Sequence, residues 1–189
     1  MGNGYGRPFP LGSPMVANSL PQPKQTTCGL SVARVDYNAL SRWILAMDTE
    51  LRTRYELAEY LIEDDPPIRF EIGVAHQGLG LLLISFGVEE AVWLTAYNPK
   101  GQRRDEEANL DDQMRLLGQI EDARLNYFVG HSMDASGDWY EPSYLVLGLT
   151  EAEGMRLGRD FGQLAIIGVD AEGSTRLIDL EHESAAPAD

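Results

Sequence analysis

The chain has 189 residues, with 15 Lys and Arg against 30 Asp and Glu, a formal net charge of −15. That acidic surplus repels phosphate backbones and disfavours nucleic acid as a partner, while a single cysteine, Cys28, excludes a disulfide framework or a cysteine-built metal cage. Hydrophobic residues make up 43%, enough to close one core, and no apolar run reaches the roughly 18–20 residues of a membrane span; the expectation is one acidic, cytoplasmic domain with no membrane partner.

Positions 1–34 read as a leader. Five of the ten prolines (Pro8, Pro10, Pro14, Pro21, Pro23) fall in the first thirty residues, and Arg7 and Lys24 are the only charges there. Such a composition buries too little apolar surface to offset chain entropy, so a disordered segment is expected. No apolar stretch of about 7–15 residues follows Arg7, so it does not read as a secretory signal; initiation at Met15 or Met47 is a second explanation for it. Positions 31–189 then carry 13 basic and 30 acidic residues, a net −17. The globular domain is placed at 35–180, and 181–189, acidic and Ala-rich, reads as a frayed tail.

Leu40, Trp43, Ile44, Met47, Leu51, Tyr55, Ala58, Leu61 and Ile62 follow steps of three and four, which predicts one helix ending before Pro66-Pro67. Ile68, Phe70 and Ile72 alternate with Arg69 and Glu71, which predicts a half-buried strand. Gln77–Phe86 fits an apolar helix stopped by Gly87, and Ala91–Ala96 a strand covered on both faces. Strand, ten-residue helix and strand predict a right-handed βαβ unit.

Arg104–Arg124 places Leu110, Met114, Leu117 and Ile120 on one face of a helix. Asn126–Gly130 reads as a short strand, His131–Trp139 as a polar loop and Ser143–Leu147 as a strand. Thr150 and Glu153 form a capping box opening a helix that stops at Gly162. Leu164–Val169 and Thr175–Leu180 predict a C-terminal β-hairpin turning at Asp170-Ala171-Glu172-Gly173. The fold class is α+β or α/β: a single mixed β-sheet with packed helices.

Three polar stretches stand where strands or helices end. Thr95-Ala96-Tyr97-Asn98-Pro99 closes the buried strand, and in sheets with helical crossovers ligands collect at such ends. Pro99 disfavours helical geometry at the residue before it, which predicts an extended Asn98 offering its amide; a plain turn is the alternative. In Trp139-Tyr140-Glu141-Pro142-Ser143, apolar neighbours should raise the Glu141 pKa and suit it to general acid or base work. Trp139 offers a face for a flat ligand, against the alternative of an ordinary strand start. In Phe161-Gly162-Gln163, the Gln163 amide turns toward a ligand or a backbone group.

These stretches, with Asn109 in the following helix, resemble a bacterial domain of unknown function, family 3293. The resemblance rests on Thr95-Ala96-Tyr97-Asn98-Pro99, Asn109, Trp139 to Ser143, and Phe161-Gly162-Gln163-Leu164-Ala165. It departs at Gly137, which lies closer to Trp139 than in the family pattern, and at Leu164, where the family carries Asn. The resemblance spans roughly Leu57 to Asp179 and implies a shared fold and a shared polar cluster, without a known reaction.

Other features carry less. His76, His131 and His182 lack metal-ligand spacing, so no metal is expected, and nothing calls for a cofactor. Gly78-Leu79-Gly80 lacks the third glycine of a dinucleotide fingerprint, since Leu83 stands in its place. Arg103-Arg104 could meet an anion at a helix start, but Asp105, Glu106 and Glu107 would oppose it and instead match the helix dipole. The expected function is a small-molecule site for a planar polar ligand, nucleotide- or amide-like. Glu141 is its candidate catalytic group, with Thr95, Asn98, Asn109, Trp139, Ser143 and Gln163 binding. The alternative is a protein-interaction module whose polar cluster is structural, with a DNA mimic behind both.

Overall fold

The computed structural model describes residues 49–181. The leader, Cys28, His182 and positions 40–48 of the expected first helix lie outside the described residues. Among the described residues, seven strands form one antiparallel sheet, with helices on both faces. In chain order the elements are α1 (Thr49–Leu57), β1 (Glu59–Ile62), β2 (Ile68–Phe70), α2 (Gln77–Phe86), β3 (Ala91–Leu94), a 3-10 turn (Pro99–Gly101), α3 (Glu106–Asp122), β4 (Tyr127–Met133), β5 (Tyr140–Leu147), α4 (Glu151–Asp160), β6 (Ala165–Val169) and β7 (Thr175–Asp179).

The strand order is β2-β1-β4-β5-β3-β6-β7, with every neighbouring pair antiparallel. β2 and β3 flank α2 in sequence, but three strands lie between them, so they do not pair as a βαβ unit would. β6 and β7 pair from Ala165↔Asp179 to Val169↔Thr175 across the turn at 170–174. The run Ala91–Leu94 is apolar for the reason expected, since both of its faces are covered. Val92 and Leu94 pack with Leu116 and Ile120 of α3 and Met155 and Leu157 of α4. Ala91 and Trp93 pack with Leu79, Leu82 and Leu83 of α2. The pleat sends alternate residues to opposite layers.

The expected helix over Leu40–Ile62 is corrected at its end: α1 stops at Leu57 and Glu59–Ile62 is a strand. Tyr60 and Ile62 are buried and Glu59 exposed, a period of two that the overlapping three- and four-residue spacings concealed. The strand is fixed by non-local pairing, with β2 on one side and β4 on the other. β4 likewise extends through His131 to Met133, into the stretch expected to be loop.

α2 ends as its sequence predicts, with Gly87 in the left-handed region at φ 69°, ψ 31°. α4 opens on the capping box, Thr150 accepting from the Glu153 amide and Glu153 from the Thr150 amide. Tyr60, Phe70 and Trp93 form an aromatic group on the α2 face, with centroids 5.2 Å (Tyr60–Phe70) and 5.3 Å (Phe70–Trp93) apart. Gly130 of β4 leaves the space the Trp93 ring fills: a Cβ there would come within 2.5 Å of Trp93 Cη2.

Candidate functional site

After Leu94 the chain leaves the ladder, and its backbone groups need other partners. Side chains supply them. Thr95 Oγ1 donates to the Pro142 carbonyl at 2.7 Å and accepts from the Tyr97 amide at 3.0 Å. From α3, Gln113 accepts the Ala96 amide at 2.8 Å through Oε1 and donates to the Pro142 carbonyl at 3.2 Å through Nε2. One helical turn earlier, Asn109 accepts the Asn98 amide at 2.9 Å and returns a hydrogen bond to Asn98 Oδ1 at 3.0 Å. Asn109 and Gln113 are 2% and 3% exposed, so α3 holds an irregular segment in place with two amides at i and i+4 on one face.

Asn98 is left-handed, at φ 48° and ψ 57°, rather than extended as Pro99 suggests. Asparagine tolerates that region better than most residues, and four hydrogen bonds hold it there. Beyond the two with Asn109, Asn98 Oδ1 accepts the Arg104 amide at 3.2 Å and Asn98 Nδ2 donates to Glu141 Oε1 at 2.9 Å. Gln163 follows Gly162, itself left-handed at φ 68°, and its Nε2 donates to the Tyr97 carbonyl at 2.9 Å. Lys100 donates its amide to the Gly162 carbonyl at 2.8 Å, so the loops after β3 and after α4 are joined by backbone as well.

Glu141, the second residue of β5, lies on the same face as Leu145 and Leu147 and stands opposite Ser132, which in turn stands opposite Tyr60. It is 9% exposed. Burial raises its carboxyl above the usual carboxylate range, and hydrogen bonds from the Asn98 and Trp139 side chains partly offset that rise. Asp134 closes the 134–139 loop. Its carboxylate accepts the Trp139 amide at 3.1 Å, the largest cause of its lowered pKa. The Arg103 guanidinium lies 5.3 Å from the centre of the Trp139 ring and donates to the Asp138 carbonyl. Arg104 pairs with Asp112 at 2.6 Å. Both arginines after the Asn98 loop are therefore engaged by their own chain.

These groups border a cavity of about 770 Å³ between α1 and the sheet. Asn98, Glu141, Gln163, Tyr60 and Ser132 form its floor, and Trp139, the 134–136 loop, Arg54, Tyr55 and Ala58 also line it. A recess of about 30 Å³ beside it is lined by Thr95, Ser143, Glu141, Gln163 and Trp93, among others. Of the seven residues singled out in the sequence, Asn98, Trp139, Glu141 and Gln163 line the cavity, and Thr95 and Ser143 line the recess. Asn109 lines neither and stands behind Asn98.

The site does not follow from strand termini in a crossover sheet, since the sheet is antiparallel. It lies on a sheet face, and α2 contributes nothing to its lining. His131 sits in β4 rather than in a loop, next in sequence to the cavity-lining Ser132 and so on the opposite face. There its Nδ1 meets Glu63 at 3.2 Å and its ring meets Tyr140 at 4.8 Å. Sequence reasoning passed over Gln113 because the expected face of α3 is corrected: Asn109, Gln113, Leu116 and Ile120 are buried, while Leu110 and Met114 are exposed. It also passed over Tyr55, which lines the cavity from α1, and over Tyr60 and Ser132, which only the strand pairing brings beside Glu141. Among the described residues no group of three or more His, Cys, Asp or Glu is placed to hold a metal ion, and no helix is long and apolar enough to cross a membrane.

A family model described as "Protein of unknown function (DUF3293)" matches residues 94–166, which takes in the Asn98 loop, α3, β4, β5, α4 and the residues up to the start of β6. Gln163 and the whole Trp139 loop fall inside that span. No curated protein and no solved structure matches the chain.

Proposed function

We propose that the cavity between α1 and the sheet binds a small, planar, polar molecule such as a nucleobase or an aromatic amide. One observation carries the reading: three polar side chains that are each at least nine-tenths buried, from three separate segments, border one hollow of about 770 Å³. Ligand sites typically enclose about 300–1,000 Å³ and combine apolar walls with a few convergent polar groups. Tyr55, Tyr60, Leu51, Met133 and Trp139 supply the former here, and Asn98, Glu141 and Gln163 the latter. If the site performs chemistry, Glu141 is its general acid or base, because its raised pKa brings it toward neutrality and its carboxyl borders the cavity.

Thermal unfolding of the full chain against nucleobases, nucleosides, nucleotides and aromatic amides tests this reading. A rise in midpoint with at least one class, diminished by Gln163→Leu, is expected. A flat response across the panel overturns it.

A second reading has its own support. The amides of Asn109 and Gln113 are spent on backbone and on Asn98, and a fully satisfied network of this kind specifies a fold without any ligand. On that reading the chain is a protein-interaction module, and substitutions at Asn98 or Gln163 change stability alone.

A further inference from the structure

The hydrogen bonds already made on the cavity floor decide which polarity remains for a ligand. Gln163 spends its Nε2 on the Tyr97 carbonyl, and its Oε1 has no hydrogen-bond partner among the described residues. Asn98 is the reverse: its Oδ1 takes both the Arg104 amide and Asn109 Nδ2, and one of its two N–H groups goes to Glu141. Once ionised, Glu141 offers about four lone-pair positions, and among the described residues its side-chain donors are Asn98 and Trp139. The Tyr55 and Ser132 hydroxyls serve as donor or acceptor alike. Among side chains of fixed polarity, the floor therefore presents a surplus of acceptors: Gln163 Oε1 and the remaining lone pairs of Glu141.

Charge points the same way. Among the described residues, the carboxylates and cations lining the cavity are Glu50, Arg54, Asp134 and Glu141. Arg54, the one cation among those lining residues, is paired with Glu50 at 2.6 Å. Asp134 is held ionised by the amides of its own loop. Arg103 and Arg104 are occupied by Trp139 with Asp138 and by Asp112, and Lys100, although next to the lining Gly101, does not itself line the cavity. An anion entering the hollow would meet these carboxylates, and among the described lining residues no cation outside the Arg54–Glu50 pair offsets them.

We propose that this cavity selects planar ligands that present N–H donors and carry a neutral or positive charge, such as amides, amidines and aminated bases, and rejects phosphates and carboxylates. The inference rests on the reading of the cavity as a ligand site and narrows it. The ligand would lie against Trp139 with its N–H groups directed to Gln163 Oε1 and Glu141, and a cationic head would be drawn further by the carboxylate.

Benzamidine, benzamide and benzoate are near-isosteric planar probes of charge +1, 0 and −1. Titrated into the full chain and followed by amide NMR shifts, benzamidine should bind more tightly than benzamide, and benzoate at least about tenfold more weakly than benzamidine. Raising ionic strength from 0.02 to 0.5 M should weaken benzamidine and leave benzamide unchanged. Glu141→Gln should cost benzamidine about tenfold and benzamide less than threefold. The salt series needs no variant and so stands even if that substitution perturbs folding. Benzoate binding as tightly as benzamidine overturns the selectivity and leaves the ligand site intact. Binding by none of the three overturns this proposal, and the wider panel of nucleobases and nucleosides then decides separately whether the hollow binds anything.

Discussion

Asn98 and Glu141 lie 43 residues apart in the chain and meet at 2.9 Å, the amide Nδ2 of one donating to a carboxyl oxygen of the other inside the sheet's covered face. The same asparagine is fixed from behind by Asn109 and holds a left-handed backbone before a proline. It therefore carries two separable contributions. Replacement by alanine removes the side-chain network, leaves Glu141 without that donor, and loses asparagine's better tolerance of the left-handed region. Replacement by glycine removes the network alone. Asn98→Ala should lower the unfolding free energy by about 1–3 kcal/mol beyond any backbone effect, and Asn98→Gly should be the milder of the two. Urea unfolding of both variants measures it; equal losses would mean the backbone conformation carries no cost.

Glu141 gives the fold a pH dependence of definite sign. Burial raises its carboxyl above 4.5, its ordinary value, so between that value and the raised one the folded chain holds the proton more tightly than the unfolded chain does. Its contribution to stability is thus fully present below about pH 4.5 and is lost as pH rises through the raised value. Glu141→Gln keeps an oxygen for Asn98 Nδ2 and removes the titration. The variant should therefore gain on the wild type as pH climbs from 4 toward 8 and then level off. A difference in urea midpoint that stays constant over that range would show the carboxyl to be undisplaced.

Elements whose signal is local were legible in the sequence: the apolar run of α2 with Gly87, the capping box of α4, and the cluster of polar residues at element ends. What was missed depends on pairing between distant segments. Tyr60 and Ile62 fit a helical stripe when read alone, and only β4, some seventy residues on, makes them a strand. The same pairing brings Ser132 and Tyr60 beside Glu141. An extended Asn98 was the reasonable expectation from Pro99, and the hydrogen bonds from Asn109 and Arg104 override it.

Gly130 tests the packing beneath the cavity. It sits in β4 between Ile62 of β1 and Ser143 of β5, with the Trp93 ring where a side chain would otherwise be. A methyl group there crowds Trp93 and the Leu61 carbonyl at once, and the backbone partner cannot rotate away. Overpacking of this kind costs about 1–3 kcal/mol or more. Gly130→Ala should fall at the upper end, seen as a lowered thermal midpoint with loss of near-ultraviolet circular dichroism from Trp93. A neutral outcome would mean that β4 shifts without cost.

Gln113 separates support from binding. It lines neither the cavity nor the recess, yet it satisfies the Ala96 amide and the Pro142 carbonyl in the interior. Gln113→Leu keeps the volume and leaves that buried N–H without a partner, which costs about 1–3 kcal/mol. Gln163→Leu removes an acceptor that borders the hollow as well as a bond to Tyr97. The expected pattern is a drop in unfolding free energy for both variants, with benzamidine affinity retained within about twofold in Gln113→Leu and reduced about tenfold in Gln163→Leu, since tenfold is the worth of one good hydrogen bond of about 1.4 kcal/mol. Titration at a temperature where both variants are fully folded keeps stability out of the comparison. Equal affinity in the two would assign Gln163 to the same structural network as Gln113 and favour the interaction-module reading.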